Sequence, residues 1–227
     1  MLQVATSLYP HMVTNERPAA PSGREVEDQT GWFRWRNQAL MNYGVNYRYS
    51  DIILEERDTT PQDEDEARSR AYFGYNDSGV LRAGDRAPEA PELISSQNQQ
   101  KTSLFEHYKM TVHTILVFAA EGQEQLVTEI IASAKAYPTD AVQTVVIGNK
   151  ESGGFPGTNV LIDADWHAHS SYLVQKDTVN VVLVRPDGFI GAIVMDAAGV
   201  QRYFSKIFGP DVCVWRQYVV DSRILPA

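Results

Sequence analysis

The chain has 227 residues and a mass of 25.4 kDa, enough for one large domain or two small ones. Hydrophobic residues make up 43% of it and charged residues 22%, a globular composition that argues against global disorder. The net charge of −9 predicts a surface that repels nucleic acid and anionic lipid. No apolar run approaches the roughly 20 residues that span a bilayer, and no secretory signal pattern opens the chain. We therefore expect a cytoplasmic protein with no membrane or nucleic-acid partner.

The first 55 residues predict an irregular arm, a helix and a strand. The helix begins near Thr30 and ends at Gly44, and one of its faces carries side chains at steps of three and four: Trp32, Trp35, Arg36, Ala39, Leu40 and Tyr43. Apolar or aromatic residues then alternate with polar ones at Val45, Tyr47 and Tyr49, a pattern typical of a half-buried strand.

The segment after this strand is strongly acidic. Residues 55–66 (EERDTTPQDEDE) contain seven acidic side chains and one basic one, Arg57. Like charges repel and such a run buries little apolar surface, so it predicts an exposed linker. We divide the chain into an N-terminal segment (1–55), an acidic linker (56–79), a larger domain (80–210) and an apolar C-terminal tail that docks (211–227).

Strand and helix patterns alternate through the larger domain. Strands are predicted at 112–118, 142–147, 160–163, 179–184 and 189–195, and helices at 122–137, 165–174 and 198–208. The link Arg185-Pro186-Asp187-Gly188 is a tight turn, so the last two strands form an antiparallel hairpin. With 160–163 as a short lead-in strand, the order β-α-β-α-β-β-α predicts an α/β, thioredoxin-like domain, a central mixed sheet with flanking helices. The smaller N-terminal helix-strand segment adds to it.

The cysteine content of the chain argues against thioredoxin chemistry. Cys213 is the only cysteine, so the sequence has no internal disulfide and no Cys-x-x-Cys pair. The loop after the first strand of the larger domain, Ala119-Ala120-Glu121-Gly122, carries no thiol. Nucleophilic redox chemistry there needs a thiolate, so we expect none.

Several motifs of the second half carry a resemblance to a known family. They are residues 84–91 (GDRAPEAP), 103–106 (SLFE), 115–118 (ILVF) and 182–190 (VLVRPDGFI). With residues 44–54 (GVNYRYSDIIL), they make the chain similar to the C-terminal, thioredoxin-like part of FAD-dependent aromatic hydroxylases of the phenol hydroxylase type, over roughly residues 30–210.

The resemblance does not extend to the flavin-binding body. Enzymes of that type hold FAD at a Gly-x-Gly-x-x-Gly turn near the N-terminus, and this sequence has no such turn. We therefore predict no cofactor, no bound metal and no flavin hydroxylation by this chain alone. In the resembled family this domain contributes to dimer contacts, so the resemblance implies a homodimer or an accessory subunit, in a setting of secondary metabolism.

Two histidines near the second predicted helix are the candidate catalytic residues. Asp163, Asp165, His167 and His169 lie within seven residues, and imidazoles titrate near neutral pH, as acid–base catalysis requires. Asp165 and His169 stand at i,i+4, but no third ligand completes a metal site. The alternative interpretation is a helix cap with solvated histidines.

An aromatic set in the N-terminal segment is the candidate substrate pocket, since apolar walls with polar handles suit a small apolar molecule. Its residues are Trp32, Trp35, Arg36, Tyr43, Tyr47 and Tyr49. The alternative interpretation is core packing or a dimer seam.

Two functional hypotheses follow. In the first, the chain is a cofactor-independent, non-redox enzyme that positions an apolar metabolite for cyclisation, isomerisation or dehydration. In the second, it is a non-catalytic dimerisation or accessory module for a flavin monooxygenase or another biosynthetic enzyme. The retained N-terminal aromatic segment favours the first, because a pure dimerisation domain has no need of it.

Overall fold

The computed structural model describes residues 45–57, 80–149 and 154–209, all within one compact unit. The strands are β1 Leu54–Glu55, β2 Leu93–Ser95, β3 Lys101–Thr102, β4 His113–Phe118, β5 Val142–Gly148, β6 Asn159–Ile162, β7 Asn180–Val184 and β8 Ile190–Val194. They form one sheet in the order β1-β8-β7-β4-β5-β6-β2-β3. The helices are α1 Glu124–Ala134, α2 His167–Ser171 and α3 Ala197–Phe208, with a short 3₁₀ helix at Leu104–His107.

The centre of the sheet has the thioredoxin-like arrangement predicted from the sequence. β4 is parallel to β5 and antiparallel to β7, and β7 is antiparallel to β8. The helical connection through α1 makes the first pair parallel, and the turn at Arg185–Gly188, where Gly188 has a φ of 79°, makes the last pair antiparallel. The α/β fold class is therefore confirmed. The five strands predicted for the larger domain start and end within one residue of their predicted bounds, whereas β2 and β3 lie in this domain without having been predicted.

Both faces of the sheet are covered, which explains the nearly continuous apolar strands. On one face Ile115 and Val117 of β4 pack in a cluster with residues of α1 and α3. On the other face Leu116 and Phe118 pack with Leu93, Leu104 and residues of α2. Alternate side chains of one strand thus enter two separate cores.

The predicted strand at Val45, Tyr47 and Tyr49 is wrong. The backbone turns twice here, with the Ser50 N–H donating to the Tyr47 carbonyl and the Ile53 N–H to the Ser50 carbonyl, both at 2.9 Å. Regular pairing begins only at β1, which runs parallel to β8. The alternating pattern has another cause: the Tyr47 ring packs edge-on against Phe189, with centroids 4.7 Å apart.

The segment 45–57 is fastened to the domain by the Gly84-Asp85 motif. Arg48 donates to both carboxylate oxygens of Asp85, from Nε at 2.7 Å and from Nη2 at 2.6 Å. The Tyr47 N–H donates to the Gly84 carbonyl at 2.7 Å. Gly84 has a φ of 95°, and a Cβ there would lie 2.5 Å from the backbone nitrogen of Arg48, so only glycine fits this close approach.

The start of the acidic segment is not exposed as expected. The Glu55 side chain is only 14% exposed, and its carboxylate accepts from Arg57 Nε at 3.1 Å and from the Ala83 N–H at 2.9 Å. Tertiary pairing thus overrides charge repulsion at this end of the run.

Helix α2 is shorter than predicted because left-handed residues bound it. Trp166 precedes it with a φ of 59°, and Leu173 follows it with a φ of 54°. The Asp163 carboxylate accepts the His169 N–H at 2.9 Å, so this acid satisfies an N–H of the first helical turn although it lies three residues before the N-cap residue, Trp166. α1 is likewise shorter than the predicted 122–137, since Tyr137 lies in the following turn.

Several predictions lie outside the described residues: the N-terminal arm and aromatic helix, the linker from residue 58 to 79, and the tail from residue 210 onward. The proposed domain boundaries therefore stay predictions. None of the helices within residues 45–57, 80–149 and 154–209 has the length and hydropathy needed to cross a membrane.

Candidate functional site

A polar groove of about 670 Å³ lies at the amino-terminal ends of β5 and β6. The β2–β3 hairpin and the 3₁₀ helix form its other walls. Its lining is rich in side chains that both donate and accept hydrogen bonds. These are the amides of Gln97, Asn98, Gln100, Gln143 and Asn159 and the hydroxyls of Ser95, Thr102 and Thr144.

A directed hydrogen-bond chain crosses one wall of the groove through His107. Asn159 Nδ2 lies 3.0 Å from His107 Nδ1 and can only donate, so Nδ1 accepts and the ring proton is on Nε2. His107 Nε2 lies 3.0 Å from Thr102 Oγ1, whose hydroxyl donates to Glu106 Oε2 at 2.6 Å. One neutral imidazole is thus oriented from one side and linked through a hydroxyl to a carboxylate on the other.

The position of His107 is set by the core below it. Leu104, fully buried, anchors the 3₁₀ helix, and its N–H donates to the Ala90 carbonyl at 3.0 Å. Gln143 Nε2 donates to the His107 carbonyl at 2.6 Å and to Thr114 Oγ1 at 2.8 Å. His107 is therefore held by backbone and side-chain contacts from the two neighbouring strands β5 and β6.

The electrostatics keep this imidazole uncharged near neutral pH. Burial lowers the pKa of His107 below its ordinary value, and the nearby Glu106 carboxylate opposes this only in part. Three other lining side chains carry charge: Lys101, Glu106 and Lys109. Lys101 is paired with Glu92, which lies outside the groove lining.

The two histidines predicted as catalytic lie at the other end of the sheet. His169 is 3% exposed, with its ring edge-on to Phe118 and 4.4 Å from the Trp166 centroid. Its Nδ1 lies 2.7 Å from Asp163 Oδ2. Burial by itself raises the pKa of Asp163, but hydrogen bonds from the side chain and backbone of His169 outweigh it and hold the pKa below the usual range. Asp163 and His169 are thus a buried, hydrogen-bonded pair, as is typical of a structural contact in the core.

His167 is half-buried, and its Nδ1 lies 3.2 Å from the Pro91 carbonyl, to which it donates. Both histidines follow the carboxyl end of β6, whereas the groove lies at the amino end, and neither lines it. The structure therefore does not bring them together with His107.

Of the predicted substrate-binding set, only Tyr47 and Tyr49 belong to the described residues. Tyr47 packs on Phe189, and the Arg185 guanidinium lies 5.4 Å from its ring centroid. Neither tyrosine lines the groove. Trp32, Trp35, Arg36 and Tyr43 lie outside the described residues, so the apolar pocket stays a prediction.

Sequence reasoning missed Thr102, Glu106, His107 and Asn159. Asn159 stands 52 residues from His107, and no motif spacing joins them. The only local signal is Thr102, Glu106 and His107 within six positions, which is common on any polar turn.

The loop that carries the thiols in redox-active thioredoxins lies at the carboxyl end of β4. Here Ala119 and Ala120 are buried, and Glu121 accepts from Asn149 Nδ2 at 2.6 Å. No sulfur stands in this loop. Within the part of the chain that the structure describes, no three histidine, cysteine or acidic side chains cluster so as to hold a metal ion.

No family model and no curated protein matches this sequence. Several solved structures match this chain. The thioredoxin domain of a thiol-disulfide oxidoreductase from Bacteroides vulgatus is 15% identical with a TM-score of 0.47, covering 56% of this chain and 99% of that one. A thiol peroxidase from Chromobacterium violaceum is 14% identical with a TM-score of 0.46, covering 56% and 88%. The chain also aligns with the C-terminal part of the flavin-dependent monooxygenase PieE, at 19% identity and a TM-score of 0.46, over 74% of this chain and 26% of PieE. The thioredoxin-like fold itself follows from the strand order and directions given above.

Proposed function

We propose that this protein is a non-redox enzyme that binds a small polar molecule in the groove and transfers a proton there with His107 and Glu106. The observation that carries the proposal is the directed chain from Asn159 through His107 and Thr102 to Glu106 in the groove wall. A base, a hydrogen-bond donor and an orienting group within one concave site are the minimum that acid–base catalysis needs.

The groups suit an isomerisation or a dehydration. The exposed Glu106 carboxylate takes a proton from the substrate. The His107 Nε2–H, which donates to Thr102 Oγ1 in the free site, exchanges this partner for the substrate oxygen on which negative charge develops. In an isomerisation the same proton returns at another atom, and in a dehydration it leaves with a hydroxyl as water. Neither reaction needs an electron acceptor, which agrees with the absence of sulfur from the loop after β4.

The polar lining changes the substrate class expected from the sequence. The expectation of an apolar substrate rests on six aromatic and basic residues, four of which lie outside the described residues. The groove offers amides and hydroxyls instead, with Val145 as its one apolar lining residue. A polar substrate therefore fits the described site, while homodimer formation, a role in secondary metabolism and a cytoplasmic location stay predictions.

Activity profiling tests the proposal without a known substrate. The protein is incubated with a pool of polar metabolites, and depletion of each is followed by mass spectrometry. We expect at least one metabolite to be converted to an isomer or a dehydrated product, and His107→Gln to reduce the rate at least about 100-fold. Thr102→Val removes the linking hydroxyl, and Thr128→Val on the exposed side of α1 is its matched control.

Three outcomes contradict the proposal. Conversion that is equal in wild type and His107→Gln places the chemistry elsewhere. Conversion lost in His167→Gln but kept in His107→Gln assigns it to the other end of the sheet. If no metabolite is converted, the protein is better described as the non-catalytic accessory module. Circular dichroism of each variant confirms that it is folded.

A further inference from the structure

We infer that the ligand of this groove is a small polyhydroxylated carboxylic acid, with its carboxylate at Lys109 and its hydroxyl groups on the amide-lined wall. The inference rests on the proposed function only in placing the ligand in the same groove. Its evidence is the chemical inventory of the lining, of which the hydrogen bonds around His107 use only Thr102, Glu106, Gln143 and Asn159.

The amide and hydroxyl side chains of the lining suit the hydroxyl groups of a ligand. Five lining side chains end in an amide and three in a hydroxyl. Amides and hydroxyls each offer donors and acceptors, so they match ligand hydroxyl groups, which also do both. A lining for a phosphate would instead present arginines or a ring of backbone N–H groups, and no arginine lines this groove.

The amides also differ in how far their own hydrogen bonds are satisfied. Gln143 and Asn159 are turned toward His107 and hold it. Gln97 makes no side-chain hydrogen bond among the described residues, and Asn98 and Gln100 bond chiefly to each other on the exposed hairpin. The hairpin side of the groove therefore keeps donors and acceptors that are open to a ligand.

The charged side chains of the lining leave one lysine for the carboxylate of a ligand. Lys101 is paired with Glu92, and this pair raises the pKa of Lys101 and lowers that of Glu92. The Glu106 carboxylate accepts the Thr102 hydroxyl. Lys109 is exposed and has no ion-pair partner among the described residues. It is therefore the lining cation whose charge is left for an anionic ligand group.

Three probes of similar length test the carboxylate and the hydroxyl groups of the inferred ligand separately. Gluconate has both a carboxylate and hydroxyl groups, sorbitol has the hydroxyl groups alone, and hexanoate has the carboxylate alone. Binding to the ¹⁵N-labelled full chain is followed by NMR at millimolar ligand, using the side-chain amide signals of Gln97, Asn98, Gln100, Gln143 and Asn159. We expect gluconate to shift these signals and to bind at least about fivefold more tightly than either other probe.

The Lys109→Gln variant tests the assigned cation. It should bring gluconate affinity to the level of sorbitol, whereas Lys135→Gln, an exposed lysine just after α1, should leave it unchanged. Equal binding of sorbitol and gluconate to wild type overturns the carboxylate assignment. Equal binding of hexanoate and gluconate to the wild type overturns the hydroxyl assignment. Failure of all three probes to move the amide signals overturns both the carboxylate and the hydroxyl assignment. None of these results affects the metabolite test of His107, so the inference can fail while the proposed function stands.

Discussion

Replacing Arg48 by methionine should lower the free energy of unfolding by about 3–5 kcal/mol. Asp85 is 3% exposed and the Arg48 side chain 15%, and two hydrogen bonds of 2.7 and 2.6 Å join them. Methionine keeps much of the aliphatic stem but removes the charge. The Asp85 carboxylate then retains one strong contact, the Arg82 N–H at 2.8 Å, which cannot neutralise a buried anion.

The double variant Arg48→Met, Asp85→Leu distinguishes the loss of the ion pair from the loss of side-chain packing. Asp85→Leu alone leaves Arg48 unpaired, but the partly exposed guanidinium can reach water. In the double variant neither charge is buried, and the remaining cost is the Arg82 N–H without its acceptor, about 1–3 kcal/mol. The two single losses should therefore sum to more than the double loss.

Urea unfolding followed by circular dichroism measures each step. Arg202→Met is the matched control, because its ion pair with Glu56 is at the surface and should change stability far less. A loss below about 1 kcal/mol in Arg48→Met, or additive single losses, would refute the view that this buried pair fastens segment 45–57 to the domain.

Two further predictions concern packing and pH. A Cβ at Gly191 would lie 2.5 Å from Cζ of the fully buried Tyr203, so Gly191→Ala should cost about 1–3 kcal/mol in urea unfolding. Gly154→Ala, where a Cβ meets nothing within 4 Å, should cost far less; equal losses would contradict the clash. Burial lowers the pKa of both His107 and His113, so the unfolded chain binds more protons and stability should be lost as pH falls below about 6.5. A melting temperature unchanged between about pH 7.5 and 5.5 would contradict this, and His107→Gln should flatten the profile.

Much of the fold was predictable because its signals are local. The apolar runs of β4, β5, β7 and β8 report burial on both faces, and the turn at Arg185–Gly188 sets the direction of the last strand. The segment around Tyr47 misled the prediction, because alternation there reflects packing on Phe189 rather than a strand ladder. The β2–β3 hairpin, with three residues in β2 and two in β3, was too short for any periodic signal.

The sequence by itself determined the thioredoxin-like core, the absence of a thiol from the loop after β4 and the acidic charge. Only the tertiary structure decided the site. The groove depends on β6 lying beside β5, which brings Asn159 to His107 across 52 residues. The same long-range packing buried the His169 ring against Phe118 and gave Gly84-Asp85 its role of holding Arg48. Hydrophobic periodicity reports which face of an element is buried, but the meeting of polar side chains depends on how distant elements pair, and that is not encoded in local spacing.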